Sequence, residues 1–407
     1  MKKIFKLMTI ALVAMCGFTA CDNDCEHDFI EHDFSKALVG TWTCLDEDFA
    51  EAMVIKADGS VEVTGLVDGE YFHSKGTIKV VNNKMIYKLD NGDEWEGRFE
   101  MTTGESFTMV LSEELDVRYT YRYCENDLAD EVVGMWICNN GPLEGIQTFK
   151  TDGTSIMTGM TPVGGVLNHE STYKVIGDLM FCMMPEGYDL RYSCARIVYR
   201  PNGTALGDVM IHQSINVTDD FEIEESSLTW LRVKEGLNLT GKTYDYNSAY
   251  VSNAKGIDED FSILRHTFNM ANINAGNFDM MFRSELFCVD LNTNTITQHF
   301  LPANGQDVAI KIPTTVEGNK VTLDYSAVTS GLRKVDMYMF QDADDSQLHM
   351  YMHTDAFINY FANLEVATML QAGEINSTDA AAVEKVYTDM KSRIESINVS
   401  FVFKARK

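Results

Sequence analysis

The chain has 407 residues, with 61 Asp+Glu against 33 Lys+Arg, a formal charge of −28 and 45% hydrophobic residues. That length allows two to four domains able to bury their own cores, and the composition is that of a globular protein. The acidic balance excludes nucleic acid as a partner, and equally adhesion to anionic lipid through charge, since both need a basic face.

Lys2, Lys3 and Lys6 precede a short apolar run that reaches Phe18. This is the layout of a secretory signal, too short to span a bilayer. Phe18-Thr19-Ala20-Cys21 then resembles a lipobox, with small residues at the two positions before the cysteine. The resemblance implies cleavage after residues 1–20 and a lipid on Cys21, taking the charge from −28 to −31 because three lysines and no acid are lost. Residues 21–36 carry Asp22, Asp24, Glu26, Asp28, Glu31 and Asp33. An acidic run behind a lipidated cysteine resembles the surface-export signal of Bacteroidota lipoproteins, and it reads equally as a solvated tether. No other apolar run approaches the roughly 20 residues of a span, so the expected membrane contact is the anchor alone. The expected location is the outer membrane, facing the cell surface, with the periplasmic face as the alternative.

An internal repeat organises the rest. Val39-Gly40-Thr41-Trp42-Thr43-Cys44 matches Val133-Gly134-Met135-Trp136-Ile137-Cys138, and at the same offset Lys56-Ala57-Asp58-Gly59 matches Lys150-Thr151-Asp152-Gly153. A third start, Leu239-Thr240-Gly241-Lys242-Thr243-Tyr244, has Tyr in place of Trp. Three modules follow, at 37–125, 131–235 and 237–407.

In the first module, alternating apolar positions and the turn dipeptides Asp58-Gly59, Asp68-Gly69 and Asn91-Gly92 predict eight strands. They fall near 38–45, 51–56, 59–65, 70–80, 84–90, 93–101, 106–112 and 116–124. The second module repeats that rhythm. The third predicts strands near 243–251, 277–290, 296–301, 306–313, 319–325, 334–341 and 347–353. A helical pair at about 355–397 follows, with Thr354 as N-cap, Gly373 as a stop and Ile394 and Ile397 on the second helix's apolar face. A final strand covers 398–403. The fold class is mainly β: tandem eight-stranded antiparallel barrels, then a barrel-like module with two helices inserted before its last strand.

A Gly-x-Trp on the first strand of such a barrel, with a basic residue on the last, resembles the lipocalin/calycin pattern. The chain looks like the lipocalin-like lipoproteins of Bacteroidota. The resemblance implies that Trp plugs one end of the barrel with a cation over it. Gly40 and Trp42 would pair with Arg122 or Arg118, and Gly134 and Trp136 with Arg232. In the third module Tyr244 would pair with Lys404 or Arg406.

Seven cysteines lie beyond Cys21, at 25, 44, 124, 138, 182, 194 and 288. First and last strands are neighbours in a closed barrel, so Cys44 and Cys124 are disulfide candidates. Cys182 and Cys194 flank Pro185-Glu186-Gly187-Tyr188 and could bridge a hairpin; the alternative is that these thiols are small buried hydrophobes. Gly236 to Thr243 matches the P-loop pattern, but the sequence after it reads as a strand where phosphate binding needs a helix, so no nucleotide is expected. Cys25, His27 and His32 could at most hold a metal weakly on a tether. His349 and His353 read as one face of a strand, exposed or half-buried and too far apart for a shared ion, and Asp342-Ala343-Asp344-Asp345 reads as a hairpin tip. No nucleophile elbow or zinc helix is present, so catalysis, cofactor and metal are not expected. The expected function is capture of a small apolar or amphipathic ligand in a barrel, with module three favoured. The alternative is an adhesion scaffold with side-chain-filled barrels that binds a partner protein or glycan.

Overall fold

A computed structural model describes residues 37–407 apart from 82, 113–116, 140–142, 161–165, 187–189, 205–206, 219, 264–265, 275, 284–285 and 301–307. Cys21, Cys25, His27 and His32, with the leader and the tether, lie outside the described residues.

The first barrel consists of β1 (Gly40–Asp46), β2 (Phe49–Ile55), β3 (Ser60–Val67), β4 (Glu70–Val81), β5 (Lys84–Leu89), β6 (Glu94–Thr103), β7 (Ser106–Ser112) and β8 (Val117–Cys124). Each strand pairs antiparallel with the next, and β8 returns to β1. At the β3–β4 turn Asp68 and Gly69 both take positive φ, 49° and 81°, the twist a two-residue hairpin requires. After a short helix, α1 (Ala129–Val132), come β9 (Gly134–Asn139), β10 (Leu143–Phe149), β11 (Thr154–Met160), β12 (Val166–Ile176), β13 (Leu179–Met183), β14 (Leu190–Thr204), β15 (Gly207–Thr218) and β16 (Ile223–Val233). These close a second barrel through β16 and β9.

The third barrel opens with β17 (Thr240–Ile257). A two-stranded ladder, β18 (Ser262–Ile263) and β19 (His266–Thr267), and helices α2 (Met270–Asn274) and α3 (Phe278–Arg283) precede β20 (Leu286–Asn292). Next are β21 (Thr295–Phe300), β22 (Val308–Glu317), β23 (Lys320–Asp324), β24 (Lys334–Gln341) and β25 (Gln347–Met352). Helices α4 (Thr354–Ala372) and α5 (Ala380–Ser392) lead into β26 (Ile394–Ala405), which pairs with both β25 and β17. The P-loop look-alike therefore runs into a strand. Residues 278–283, expected in a strand, form α3, where Arg283 reaches back one turn to Asp279 at 2.6 Å. The N-cap of α4 is His353 rather than Thr354, whose hydroxyl donates to the Ile397 carbonyl at 3.0 Å. Ile394 and Ile397 belong to β26, where both are buried.

Two compact units divide the chain, and the division runs through the second barrel. One extends to Val132 and adds Ser171–Val198 and His212–Ser227. Within it, Ala50, Ala52 and Leu66 on the outer wall of barrel one pack on Leu179, Phe181 and Val217. The other comprises Val133–Glu170, Tyr199–Ile211 and Leu228–Lys407. There Ile137, Leu231 and Val233 pack against Phe340 and Tyr351 on the outer wall of barrel three.

The tryptophans of both Gly-x-Trp segments are fully buried, against different partners. Trp136 lies under the Arg232 guanidinium, 4.5 Å from its carbon, while Arg232 also donates to the Val133 carbonyl at 2.9 Å and pairs with Asp208. In barrel one the register puts Tyr123, not Arg122, opposite Trp42, and Arg122 opposite Thr43 on the other face. The Tyr123 ring meets Trp42 edge-on at 5.2 Å, and the Trp42 indole donates to the Leu38 carbonyl at 2.7 Å. In barrel three Tyr244 stands opposite Ala405, and its hydroxyl is held by Gln341 at 2.7 Å; Lys404 and Arg406 lie beside Asp245 instead.

All six described cysteines are free thiols. Cys44 lies in the core of barrel one, whereas Cys124 stands opposite Thr41 and donates to Asp178 at 3.1 Å outside that wall. Their sulfurs are on opposite faces, so the expected bridge has no path. The same rule separates Cys182 from Cys194: Cys194 pairs with Phe181 on the face packed against barrel one, and Cys182 pairs with Ser193 on the other. Burial pushes the Cys44 and Cys182 thiols up to about 12, as buried hydrophobes rather than reactive groups.

Candidate functional site

The alternation along β2 sends Phe49, Glu51, Met53 and Ile55 into barrel one, and Ala50 and Ala52 out of it. Around Trp42 the interior is dense: Trp42, Phe107, Phe99 and Tyr121 meet edge-on, tilted or stacked at ring separations of 4.7–5.3 Å. Away from it the packing loosens into a cup lined by Phe49, Glu51, Val67, Phe72, Tyr87, Trp95, Met109, Leu111, Tyr119 and Tyr121. Phe49, Glu51, Tyr87, Met109 and Tyr121 are buried in its floor, while Val67, Phe72, Trp95, Leu111 and Tyr119 form a half-buried rim. The rings pair across strands, Phe49 on Tyr119 at 3.9 Å and Tyr87 on Trp95 at 6.2 Å. The space left between these side chains is about 30 Å³, room for one or two waters.

Glu51 sets the chemistry of the cup. It is 2% exposed, and the Tyr121 hydroxyl donates to its Oε1 at 2.7 Å. Burial penalises the carboxylate and raises its pKa from the ordinary 4.5 to about 7, against a smaller lowering by the Tyr121 bond. Glu51 thus changes charge near neutral pH inside an aromatic box.

At the helical end of barrel three, aromatic rings among the described residues pack together. Phe282 lies 5.2 Å from Phe361 of α4 and 5.3 Å from Phe401 of β26, and Phe268 stacks on Phe357 at 5.5 Å. In the same barrel the buried Tyr325 hydroxyl donates to Gln298 Oε1 at 2.7 Å. His349 lies on β25 but is 3% exposed, so the expected exposed or half-buried face is a buried one, and burial lowers its pKa to about 4. His353 leaves the strand to cap α4. Asp342, Asp344 and Asp345 form the β24–β25 turn, with Asp345 held by Lys234 at 2.8 Å. Among the described residues no three His, Cys, Asp or Glu side chains converge as a metal site, and no helix is long and apolar enough to cross a membrane.

The sequence reading did not single out Glu51. Its signal was present: one acid at an inward position within the otherwise apolar Phe49-Ala-Glu-Ala-Met-Val-Ile55. The chain matches no family model and no curated protein.

Proposed function

We propose that this is a lipocalin-like binding protein, anchored in the outer membrane through a lipid on Cys21, that captures a small amphipathic molecule in barrel one. The aromatic cup with Glu51 in its floor carries the reading. Ligand sites are concave, largely apolar and oriented by a few polar groups, and this cup has that composition. It replaces barrel three as the favoured compartment, because phenylalanines fill the mouth there. The tether and anchor would hold the cup at the cell surface. One observation favours the alternative of an adhesion scaffold for a partner protein or glycan: the free volume of about 30 Å³ is that of a nearly filled barrel.

Native mass spectrometry of the mature chain, extracted from envelopes in two different detergents, separates these readings. Capture predicts one adduct mass common to both preparations and lost on denaturation. It also predicts that Val67→Trp, which fills the rim, abolishes the adduct. A bare polypeptide mass in both preparations rejects capture and favours the scaffold.

A further inference from the structure

We propose that the ligand of the barrel-one cup is a small organic cation, an alkyl or arylalkyl ammonium, whose charged head meets the Glu51 carboxylate between the aromatic walls. The inference rests on the reading of the cup as a capture site and deepens it. Among the described residues of the lining, Glu51 is the only acid and there is no base. Its hydrogen bond from Tyr121 leaves the second oxygen's charge uncompensated by any cation of the wall. An anionic ligand would be repelled, and a purely apolar one would have no use for a carboxylate whose burial costs stability. A cation supplies the missing counter-charge. The rings of Phe72, Tyr87, Trp95 and Tyr119 add the electron-rich faces that attract ammonium groups. A divalent metal does not fit, since it needs several oxygen ligands and the lining offers one carboxylate and tyrosine hydroxyls. The narrow free space selects a small head, and the half-buried rim of Phe72, Trp95 and Leu111 is the part that must swing to admit it.

Charge at the floor makes binding pH-dependent. Among the described residues the titratable groups facing Glu51 are Cys44 from β1, Tyr87 from β5 and Tyr119 and Tyr121 from β8, all held neutral by raised pKa values, and Asp46, Asp48 and Asp68 add negative charge near Tyr119. The strands β3, β4, β6 and β7 contribute only apolar groups to the lining. Of these lining groups Glu51 is the one brought to about pH 7. Affinity for an ammonium should rise about tenfold per pH unit up to about pH 7 and then level off.

Calorimetry of the mature chain with 2-phenylethylamine and butylamine, each against its neutral alcohol, tests this. At pH 8 the amines should bind at least tenfold more tightly than the alcohols, and should lose about thirtyfold in affinity at pH 5.5. Glu51→Gln should bring the amines down to the level of the alcohols. Equal binding of amine and alcohol, or an amine advantage that survives Glu51→Gln, overturns the cation and leaves capture standing. Binding of neither overturns both. Should Glu51→Gln fail to fold, the carboxyl ¹³C titration of Glu51 in the unaltered chain decides. Saturation with amine must lower its pKa, and an unchanged or raised value overturns the proposal.

Discussion

At the scale of single residues, Gly40 shows why the Gly-x-Trp motif begins with glycine. Its φ is 138°, and a Cβ there would lie 2.5 Å from a ring carbon of Tyr123. Gly134 repeats the backbone, but the nearest atom is an Arg232 guanidinium nitrogen at 3.2 Å. Strain and overpacking each contribute about 1–3 kcal/mol in such cases, so Gly40→Ala should destabilise barrel one by about 2–4 kcal/mol. Adding Tyr123→Ala should recover part of that loss in denaturant unfolding. Strictly additive costs would reject the steric account. The same pair of residues shows where the sequence is legible and where it stops. Gly-x-Trp identifies a buried tryptophan, but assigning the side chain against it depends on register, and Arg122 and Tyr123 differ by the single residue that moves a side chain through the wall. Arg232 was legible because a guanidinium stands at the register position itself.

At the scale of elements, the strands of barrel one follow from period-two alternation and from turns whose glycines need positive φ, both local properties of the chain. Helix α3 does not. Its Phe-Asp-Met-Met-Phe-Arg is a short apolar run in which the helical and extended periods are both satisfied. What decides between them is tertiary: Phe278 and Phe282, four apart, must reach Phe401 together at 6.3 and 5.3 Å. Glu51 escaped notice for a related reason, since one acid among sixty others is inconspicuous until the barrel closes around it. The plug of barrel three is testable in the same terms. Phe361 touches Phe282, Phe357 and Tyr360 at ring distances of 4.6–5.2 Å. Phe361→Ala should cost about 3–5 kcal/mol, as large buried truncations do. A loss below about 1 kcal/mol in thermal unfolding would mean that α4 lies on the barrel without filling its mouth.

At the scale of the whole molecule, the buried titratable groups give barrels one and three opposite responses to acid. Glu51 has a folded pKa of about 7 against 4.5 when exposed, so between those values the folded state holds the extra proton. Its destabilising charge is present above pH 7 and removed as pH falls, and barrel one should gain about 2 kcal/mol between pH 7.5 and 5. His349 runs the other way. Burial lowers it from 6.5 to about 4, so the unfolded chain takes the proton first and barrel three should lose about 2 kcal/mol over the same interval. His212, buried on β15 and lowered to about 3, acts with the sign of His349 in barrel two. The exposed carboxylates with lowered pKa values, such as Asp58 and Asp90, titrate below this window and do not blur it. Hydrogen exchange by mass spectrometry, corrected for the intrinsic pH dependence, should therefore show protection rising in β1–β2 and falling in β25–β26 from pH 7.5 to 5. Glu51→Gln should flatten the first change without touching the second, because its amide still accepts from Tyr121 but no longer titrates. Parallel changes in both barrels would mean that the acid response belongs to the net charge of the chain. Opposed changes assign it to these two side chains, and with it the neutral-pH poise of the cup.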